Sequence, residues 1–307
     1  MAIPPALILA GPTAVGKSSL ALDIVEAVGG EIVSADSRQI YQGMDVGTAK
    51  PIPSERTRVP HHLIDLLAPS EAYSAGQFLR DTRQVLADLA RRDVPAVVVG
   101  GSTLYVHALV VGMADLPPVP EELTTQLSEE ARTASGREAL YAELQAGDPE
   151  AAATLDPTKS QRLVRFVGVL RTSESLPSQL WAEAHEPGVP NRLVVLTRER
   201  RELYERIDRR VEEMVRAGLQ AEARALYNAD DAVRRTMAST IGYREWLPVF
   251  EGVCSPETAV ALIQRNSRRY AKRQMTWYRR YPEAVAIEAS SATVEDVLRE
   301  AEWPEST

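Results

Sequence analysis

A glycine-rich segment near the amino terminus combines the residue types and the spacing of a phosphate-binding loop. It reads GPTAVGKS, follows an apolar run and opens a helical pattern. Its two glycines allow the backbone to curl so that N–H groups converge on phosphate oxygens, and the helix N-terminus adds partial positive charge. In such a loop Lys17 binds the outer phosphate and Ser18 ligates Mg²⁺. The residues predicted to contact the phosphates are Gly11, Pro12, Thr13, Ala14, Val15, Gly16, Lys17 and Ser18.

A carboxylate follows the second apolar run of the chain. In EIVSADSRQIYQGMDVGTAKP, Asp36 comes shortly after Ile32 and Val33, at the edge of the sheet where open α/β folds bind ligands. A helix N-cap or a turn aspartate is the other interpretation of Asp36. The later run VPAVVVG at 94–100 continues into Gly-Gly-Ser-Thr without an acidic residue. An ATPase or GTPase needs a metal-binding carboxylate there, so both are disfavoured.

The composition is that of an ordinary globular protein. The chain has 307 residues, 44% of them hydrophobic, and a formal net charge of −8, which suits one extended domain or two smaller ones. Because Cys254 is the single cysteine, the chain can form no intrachain disulfide and has no cysteine cluster to hold zinc. Because no long apolar run is present, we expect a cytoplasmic protein without membrane association. We also expect a monomer.

The charge is distributed unevenly along the chain. Residues 191–281 contain 19 Lys or Arg against 12 Asp or Glu, so an acidic protein overall still has a basic carboxyl-terminal third. The densest part, RNSRRYAKRQMTWYRRY at 265–281, has seven basic residues, no acidic ones and four interleaved aromatic residues. A solvated helix face is one interpretation. Contact with nucleic-acid phosphates is the other, because the segment lacks the acidic i,i+4 partners of a solvated face.

Short apolar runs alternate with helical patterns over most of the chain. The predicted strands are ALILA at 6–10, EIVS at 31–34, HLIDL at 62–66, VPAVVVG at 94–100 and RLVVL at 192–196. This alternation predicts an α/β fold with a P-loop NTPase-like parallel sheet. It lapses between about 116 and 190, where the composition favours helices. We therefore predict a core of residues 1–115 and 191–307 with a helical carboxyl-terminal third, and an inserted helical subdomain at 116–190.

Seven blocks occur along the chain in a fixed order: GPTAVGKS, SADSRQIYQGMDVGTAKP, PHHLIDL, YSAGQF, VVVGGSTLY, STIGYRE and RRYAKRQMTWYRR. Together they resemble the tRNA dimethylallyltransferase, or tRNA isopentenyltransferase, family in its short bacterial form. The resemblance covers roughly residues 6–280. It implies transfer of a dimethylallyl group from dimethylallyl diphosphate to N6 of the adenosine that follows the tRNA anticodon. The loop at 11–18 would then hold a leaving diphosphate.

The resemblance also implies catalytic roles for four residues. Lys17 binds the diphosphate, Asp36 accepts the proton of the attacking amine, and Ser102 lies near the base. Arg210 would bind the diphosphate as well. The sequence supports Arg210 independently, because Glu202 and Glu205 lie four residues before Arg206 and Arg209 and predict helical ion pairs with them, which leaves Arg210 with Glu213 at i+3. A surface arginine is the alternative.

The implied partner is the anticodon stem-loop of tRNA, whose target base must be unstacked to reach a buried carboxylate. The implied tRNA contacts are Asp36, Ser37, Arg38, Gln39, Ser102, Gln161, Arg162, Leu163, Val164, Arg165, Ser239, Thr240, Ile241, Gly242, Tyr243 and Arg244. The basic segment adds Lys272 and Arg273. Two alternative functions are a nucleotide or small-molecule kinase, which would use the loop, Lys17, Ser18 and Asp36, and an RNA-binding or nucleotide-switched protein, which would use the basic carboxyl-terminal third.

Overall fold

The computed structural model describes residues 3–114, 116–183 and 185–303. Within these residues the chain forms eight strands: β1 (Ala6–Ala10), β2 (Glu31–Ser34), β3 (His61–His62), β4 (Ala96–Gly100), β5 (Gly112–Ala114), β6 (His185–Pro187), β7 (Asn191–Thr197) and β8 (Val285–Glu288). Six of them form one parallel sheet in the order β3-β2-β4-β1-β7-β8. The predicted α/β class with a parallel sheet is confirmed.

The strands β1 and β4 consist of small and apolar residues, and β2 contains the apolar pair Ile32–Val33, because helices cover both faces of a parallel sheet. Every residue of β1, β2 and β4 is buried. Ala10 pairs with Gly100, and Ser34 pairs with Val99. The three chain segments that follow β1, β2 and β4 therefore emerge side by side at one edge of the sheet.

The predicted strand at 62–66 is wrong in its bounds. The strand ends at His62, because Leu63 and Asp65 adopt positive φ angles of 59° and 57°. A left-handed backbone cannot continue a ladder of strand hydrogen bonds. The apolar residues Leu63 and Ile64 are nevertheless buried, at 6% and 5% exposure. The pattern therefore predicted burial correctly and the strand incorrectly.

Helices account for most of the remaining described residues: α1 (Lys17–Val28), α2 (Pro53–Arg58), α3 (Ala75–Arg91), α4 (Thr103–Val110), α5 (Glu121–Glu130), α6 (Ala134–Gly147), α7 (Pro149–Ala153), α8 (Ser160–Thr172), α9 (Pro177–Glu183), α10 (Arg200–Arg216), α11 (Leu219–Tyr227), α12 (Asp231–Ser239), α13 (Leu247–Phe250), α14 (Pro256–Tyr278) and α15 (Val294–Glu300), with a 3-10 turn at Arg244–Trp246. The chain after β7 first forms two successive helices, α10 and α11, which are separated at Gly218, whose φ is 102°.

The chain forms two compact units. The first comprises Met1–Val111 and Gly188–Thr307 and contains the parallel sheet, and the second is Gly112–Pro187. The second unit contains α5 to α9 and a short antiparallel pair, β5 with β6. Its own core is formed by the buried faces of these helices and includes Leu127, Leu140 and Leu163, each at 0% exposure.

Among the described residues, no helix combines the length and the apolar character that crossing a membrane requires.

Val15 connects the phosphate-binding loop to the core of the first unit. Its side chain is fully buried and belongs to the apolar cluster beneath the loop, together with Leu9, Leu196 and Leu203. Its Cγ1 also approaches Gly11, where an added Cβ would lie 3.3 Å away. The apolar residue in the middle of the loop therefore fastens the loop to the sheet.

We predict that Val15→Ala lowers the free energy of unfolding by about 2 kcal/mol, from the lost burial of two methyl groups and the cavity that remains. Urea denaturation of the variant and of the unchanged chain measures this difference. An unchanged midpoint and slope would show that the Val15 side chain contributes nothing to the core.

Candidate active site

The loop at 11–18 has a backbone shape that ordinary side chains do not favour. Gly11 and Gly16 adopt φ angles of 146° and 118°, a region that glycine enters without steric cost. A Cβ on Gly11 would also lie 2.7 Å from the carbonyl oxygen of Leu196. Gly16 is the N-cap of α1. The backbone N–H groups of the loop therefore lie at the amino-terminal end of this helix, where the helix dipole is positive.

Lys17 lies at the centre of the loop. Its Nζ donates to the carbonyl oxygens of Gly11 and Pro12, at 3.0 and 2.8 Å. Burial and the nearby guanidinium of Arg210 lower the pKa of Lys17 to about 7, and Asp36 opposes this shift. Burial lowers the pKa of Arg210 too, again opposed by Asp36. The two cations and the carboxylate that the sequence predicted are thus close enough to act on one another's charge.

Two arginines hold the loop from outside. Arg198, buried at 8% exposure, donates from Nε to the carbonyl oxygen of Val15 at 3.2 Å. Arg206 donates from Nε to the carbonyl oxygen of Ala14 at 2.9 Å. The helical ion pairs predicted for Arg206 and Arg209 are wrong: Glu202 pairs with Arg198, and Glu205 pairs with Arg201. Arg206 is instead used to fix the loop backbone.

Gln274 of α14 is a site residue that sequence reasoning missed. Its side chain is buried, at 1% exposure. Its Oε1 accepts a hydrogen bond from the N–H of Thr13 at 2.9 Å, and its Nε2 donates to the carbonyl oxygen of Gly101 at 2.6 Å. A Cβ on Gly101 would lie 2.6 Å from that Nε2. The only sequence signal is an uncharged amide within the basic segment.

Asp36 lies just beyond the end of β2. Its Oδ1 accepts the N–H of Arg38 at 2.9 Å, so the carboxylate closes a turn and is held in a fixed position. Ser102, the N-cap of α4, forms two hydrogen bonds with Ser37, the residue that follows Asp36. Its Oγ accepts the N–H of Ser37 at 2.8 Å and donates to the Ser37 Oγ at 3.2 Å.

Two cavities meet at Asp36. The first, of about 280 Å³, combines loop residues with an apolar lining. Its lining includes the cations Lys17 and Arg210 and the polar residues Ser34, Gln39, Glu55 and His61. Its apolar residues are Ala21, Leu22, Ile32, Ala49, Pro51, Ile64 and Val99. The second, of about 400 Å³, is lined by polar and basic residues that include Ser37, Arg38, Ser102, Arg244 and Arg273. Thr13, Asp36, Arg210 and Tyr270 border both cavities.

The other predicted residues occupy varied positions. Ser239, Thr240, Ile241 and Gly242 border the second cavity, and Gln39 borders the first. The ring of Tyr243 is fully buried, and Lys272 is exposed on α14. In the second unit Gln161 and Arg162 are exposed, Leu163 and Val164 are buried in its core, and Arg165 donates to the carbonyl oxygen of Leu116 at 2.6 Å.

The described residues contain no cluster of three or more His, Cys, Asp or Glu side chains that could enclose a metal ion. Mg²⁺ is compatible with this arrangement, because it keeps several water ligands and commonly binds through substrate phosphates and one or two protein oxygens. Ser18 is exposed at the start of α1 and presents its hydroxyl group as such an oxygen. The donor set therefore fits Mg²⁺ that arrives with a phosphate ligand.

A parallel sheet with a glycine-rich phosphate loop between β1 and α1 defines the chain as a P-loop α/β protein. The model of the IPP transferase family matches residues 39–281. The chain belongs to the IPP transferase family.

Curated relatives and solved structures agree with this assignment. The chain is 41% identical to the tRNA dimethylallyltransferase of Salinibacter ruber, over 96% of this chain and 91% of the relative. It is 44% identical to that of Chlorobaculum parvum, over 90% of each. The crystal structure of the Bacillus halodurans tRNA isopentenylpyrophosphate transferase matches with a TM-score of 0.67 and 32% identity, covering 97% of this chain and 95% of that one.

A eukaryotic dimethylallyltransferase, solved while acting on tRNA, shares the fold. It matches with a TM-score of 0.76 and 23% identity, over 93% of this chain and 74% of that one.

The lowered pKa of Lys17 predicts how diphosphate binding depends on pH. Below about pH 7 the ammonium is charged before the ligand arrives. Above that pH the free protein must take up a proton on binding, so the Kd should rise by up to about tenfold per pH unit. Titration calorimetry with diphosphate from pH 6 to 9 measures this. Lys17→Met is the reference. Its Kd varies with pH only through the titration of diphosphate and of other groups, so the comparison isolates the contribution of Lys17. A ratio of the two Kd values that stays constant with pH would contradict the prediction.

Proposed function

We propose that this chain transfers a dimethylallyl group from dimethylallyl diphosphate to N6 of the adenosine 3′-adjacent to the tRNA anticodon, with release of diphosphate. It is a prenyltransferase of tRNA modification. The observation that carries the assignment of its site is the position of Asp36, which borders both a phosphate-loop cavity with an apolar lining and a second, basic cavity. A donor in the first cavity and an adenine in the second would meet at this carboxylate.

The donor fits the first cavity by its chemistry. Its diphosphate would lie on the loop at 11–18, where backbone N–H groups, Lys17 and Arg210 supply positive charge. Its five-carbon group would lie against the apolar residues, of which Leu22, Ile32 and Val99 are buried in the sheet and α1. Ser18 would hold Mg²⁺, which when bound neutralises charge on the phosphate oxygens.

Transfer requires one bond to break and one to form. The allylic C–O bond of the donor breaks, and negative charge develops on the departing diphosphate. Lys17 and Arg210 would stabilise that charge within a largely buried site. The lone pair of N6 forms the new C–N bond, and Asp36 accepts the N6 proton. Since the exocyclic amine of adenine is a poor nucleophile, a carboxylate within hydrogen-bond reach is what the reaction needs.

The second cavity suits an unstacked base. Tyr270 borders it beneath Arg273, whose guanidinium carbon lies 5.6 Å from the centre of the tyrosine ring. Burial and Asp36 raise the pKa of Tyr270 to about 12, so its ring stays neutral and available for stacking. The Ser37–Ser102 hydrogen bonds would keep the strand end in place while the base enters. Arg38, Arg244 and Arg273 line the same cavity and would contact phosphates of the anticodon loop.

The inserted domain would bind tRNA through its exposed side chains. Gln161 and Arg162 are exposed on α8, whereas Leu163 and Val164 pack in the core of that unit. We therefore assign direct contact to the two exposed residues and a supporting role to the two buried ones. The division into residues 1–115 with 191–307 and an inserted 116–190, and the monomeric state, belong to the same proposal.

Incubation with labelled dimethylallyl diphosphate, Mg²⁺ and unmodified tRNA tests the function. We expect label on N6 of the adenosine and one diphosphate released per label transferred. A kinase would use the same loop with Lys17, Ser18 and Asp36. ATP turnover without label on RNA would therefore overturn the proposal in favour of phosphoryl transfer.

Asp36→Asn keeps the shape of the side chain and its bond to Arg38, and removes the base. We predict a fall in turnover of about 10²- to 10⁴-fold with little change in tRNA affinity. Single-turnover rates and filter binding measure the two quantities. Asp23→Asn, on the exposed face of α1, is the matched control and should leave both unchanged. Unaltered turnover in Asp36→Asn would remove the residue from this role.

The double substitution of Lys272 and Arg273 by alanine should weaken tRNA binding. Each lost phosphate contact lowers the slope of log K against log salt by about 0.7 to 0.9. A salt series of tRNA affinities determines the slope. Arg91 and Arg192, both exposed cations at the opposite edge of the sheet, provide a matched double control. If both double variants give the same slope, the basic face of α14 does not contact the RNA.

A further inference from the structure

Glu222 of α11 makes an unusual set of hydrogen bonds to a distant turn. Its carboxylate accepts the N–H groups of three consecutive residues, Asp45 and Val46 at 2.9 Å each and Gly47 at 3.0 Å. It also accepts the hydroxyl of Tyr243 at 2.7 Å. Consecutive N–H groups that converge in this way form an anion-binding concavity. Here the anion is a side chain of the same molecule.

The turn at residues 45–47 also packs closely against Tyr243. A Cβ on Gly47 would lie 2.4 to 2.6 Å from ring atoms of Tyr243, so only glycine permits the contact. The Tyr243 ring is fully buried, and burial together with Glu222 raises the pKa of its hydroxyl. The phenol therefore remains a proton donor to Glu222. Residues 45–47 and Tyr243 thus pack around the carboxylate of Glu222, to which both donate hydrogen bonds.

The same turn is held from its other side by a buried lysine. The Nζ of Lys50 contacts a carboxylate oxygen of Asp45 and one of Asp65, each at 2.5 Å, and donates to the carbonyl oxygen of Tyr41 at 2.8 Å. These contacts come from residues close in sequence. Glu222 differs because it ties the turn to the carboxyl-terminal third of the chain, which also supplies Arg210 and Gln274.

The residues that follow the turn form a wall common to both cavities, which we call the shared wall (residues 47–51). Gly47 and Thr48 border the second cavity, and Ala49 and Pro51 border the first. The shared wall also reaches the strand end before Asp36: Gln39 donates from Nε2 to the carbonyl oxygens of Thr48 and Ala49, at 3.3 Å each, and accepts the Ser34 hydroxyl at 3.0 Å.

We propose that Glu222 is a positioning residue that keeps the shared wall closed around the point where the allylic carbon meets the amine, and so excludes water from it. This inference rests on the proposed function. If the wall loosens, water competes with N6 for the allylic carbon. The C–O bond then breaks as before, diphosphate leaves, the water oxygen bonds to the carbon, and a proton passes to solvent. The product is dimethylallyl alcohol in place of modified tRNA.

The test is the partition of labelled donor between prenylated tRNA and alcohol at saturating tRNA. Glu222→Gln removes the charge and turns an N–H donor toward the turn. We expect its alcohol fraction to rise at least about tenfold and its KM for the donor to rise several-fold, while diphosphate release falls less than tenfold. Glu222→Asp retains the charge, so its alcohol fraction and its KM should lie between those of the unchanged chain and those of Glu222→Gln. If Glu222→Gln is unfolded, Glu222→Asp replaces it in the test. Glu212→Gln, an exposed carboxylate on α10, is the matched control and should behave as the unchanged chain.

Hydrogen exchange gives an independent readout of the same contact. The amides of residues 45–47 should exchange slowly in the unchanged chain and at least about tenfold faster in Glu222→Gln or Glu222→Asp. Faster exchange with an unchanged partition and KM would make Glu222 merely structural and overturn the inference. If the unchanged chain itself places no label on tRNA, the proposed function fails. Prenylation by the unchanged chain with identical partition in the variants refutes this inference alone.

Discussion

The site depends first on how closely the ends of β2 and β4 approach each other. A Cβ on Gly100 would lie 2.1 Å from the carbonyl oxygen of Ala35, so the two backbones touch where the strands finish. Because β1 lies on the other side of β4, the phosphate loop, Asp36 and Ser102 all emerge from adjacent parallel strands at one edge. Glycine at the end of β4 removes the side chain that would separate them. The adjacent placement of the phosphate loop, Asp36 and Ser102 follows from strand order and from this contact.

Side chains from the carboxyl-terminal third hold the backbone of the loop. Gln274, Arg206 and Arg198 bind the backbone of Thr13, Ala14 and Val15 in turn. A loop held in this way needs little reorganisation when charge develops on a diphosphate, which is the condition for efficient electrostatic stabilisation. Folding of α10 and α14 is therefore part of building the phosphate site, although both helices lie far from it in sequence.

The sequence predicted what depends on local pattern. The position of β1 follows from an unbroken apolar run and that of β2 from the apolar pair Ile32–Val33. The family and the reaction follow from the seven sequence blocks, which include those around Lys17 and Asp36. Prediction from the sequence failed where a contact is determined by residues that are far apart in the chain. The pairing of Gln274 with Thr13 spans 261 residues, Glu222 binds a turn 175 to 177 residues away, and Glu202 pairs with Arg198 although helical spacing also allowed Arg206. Positive φ angles at Leu63 and Asp65 ended a strand that composition favoured, because a local pattern does not encode the turn that the fold imposes.

If the loop at 11–18 holds a leaving group, the carbon–oxygen bond of the donor breaks and every phosphorus–oxygen bond survives. Dimethylallyl diphosphate labelled with ¹⁸O at the bridging oxygen between carbon and phosphorus tests it most directly. After reaction with tRNA, mass spectrometry of the products locates the label. We expect all of the ¹⁸O in the released diphosphate and none in the modified adenosine or in any alcohol. Retention of ¹⁸O on the five-carbon product would show cleavage at phosphorus and contradict it.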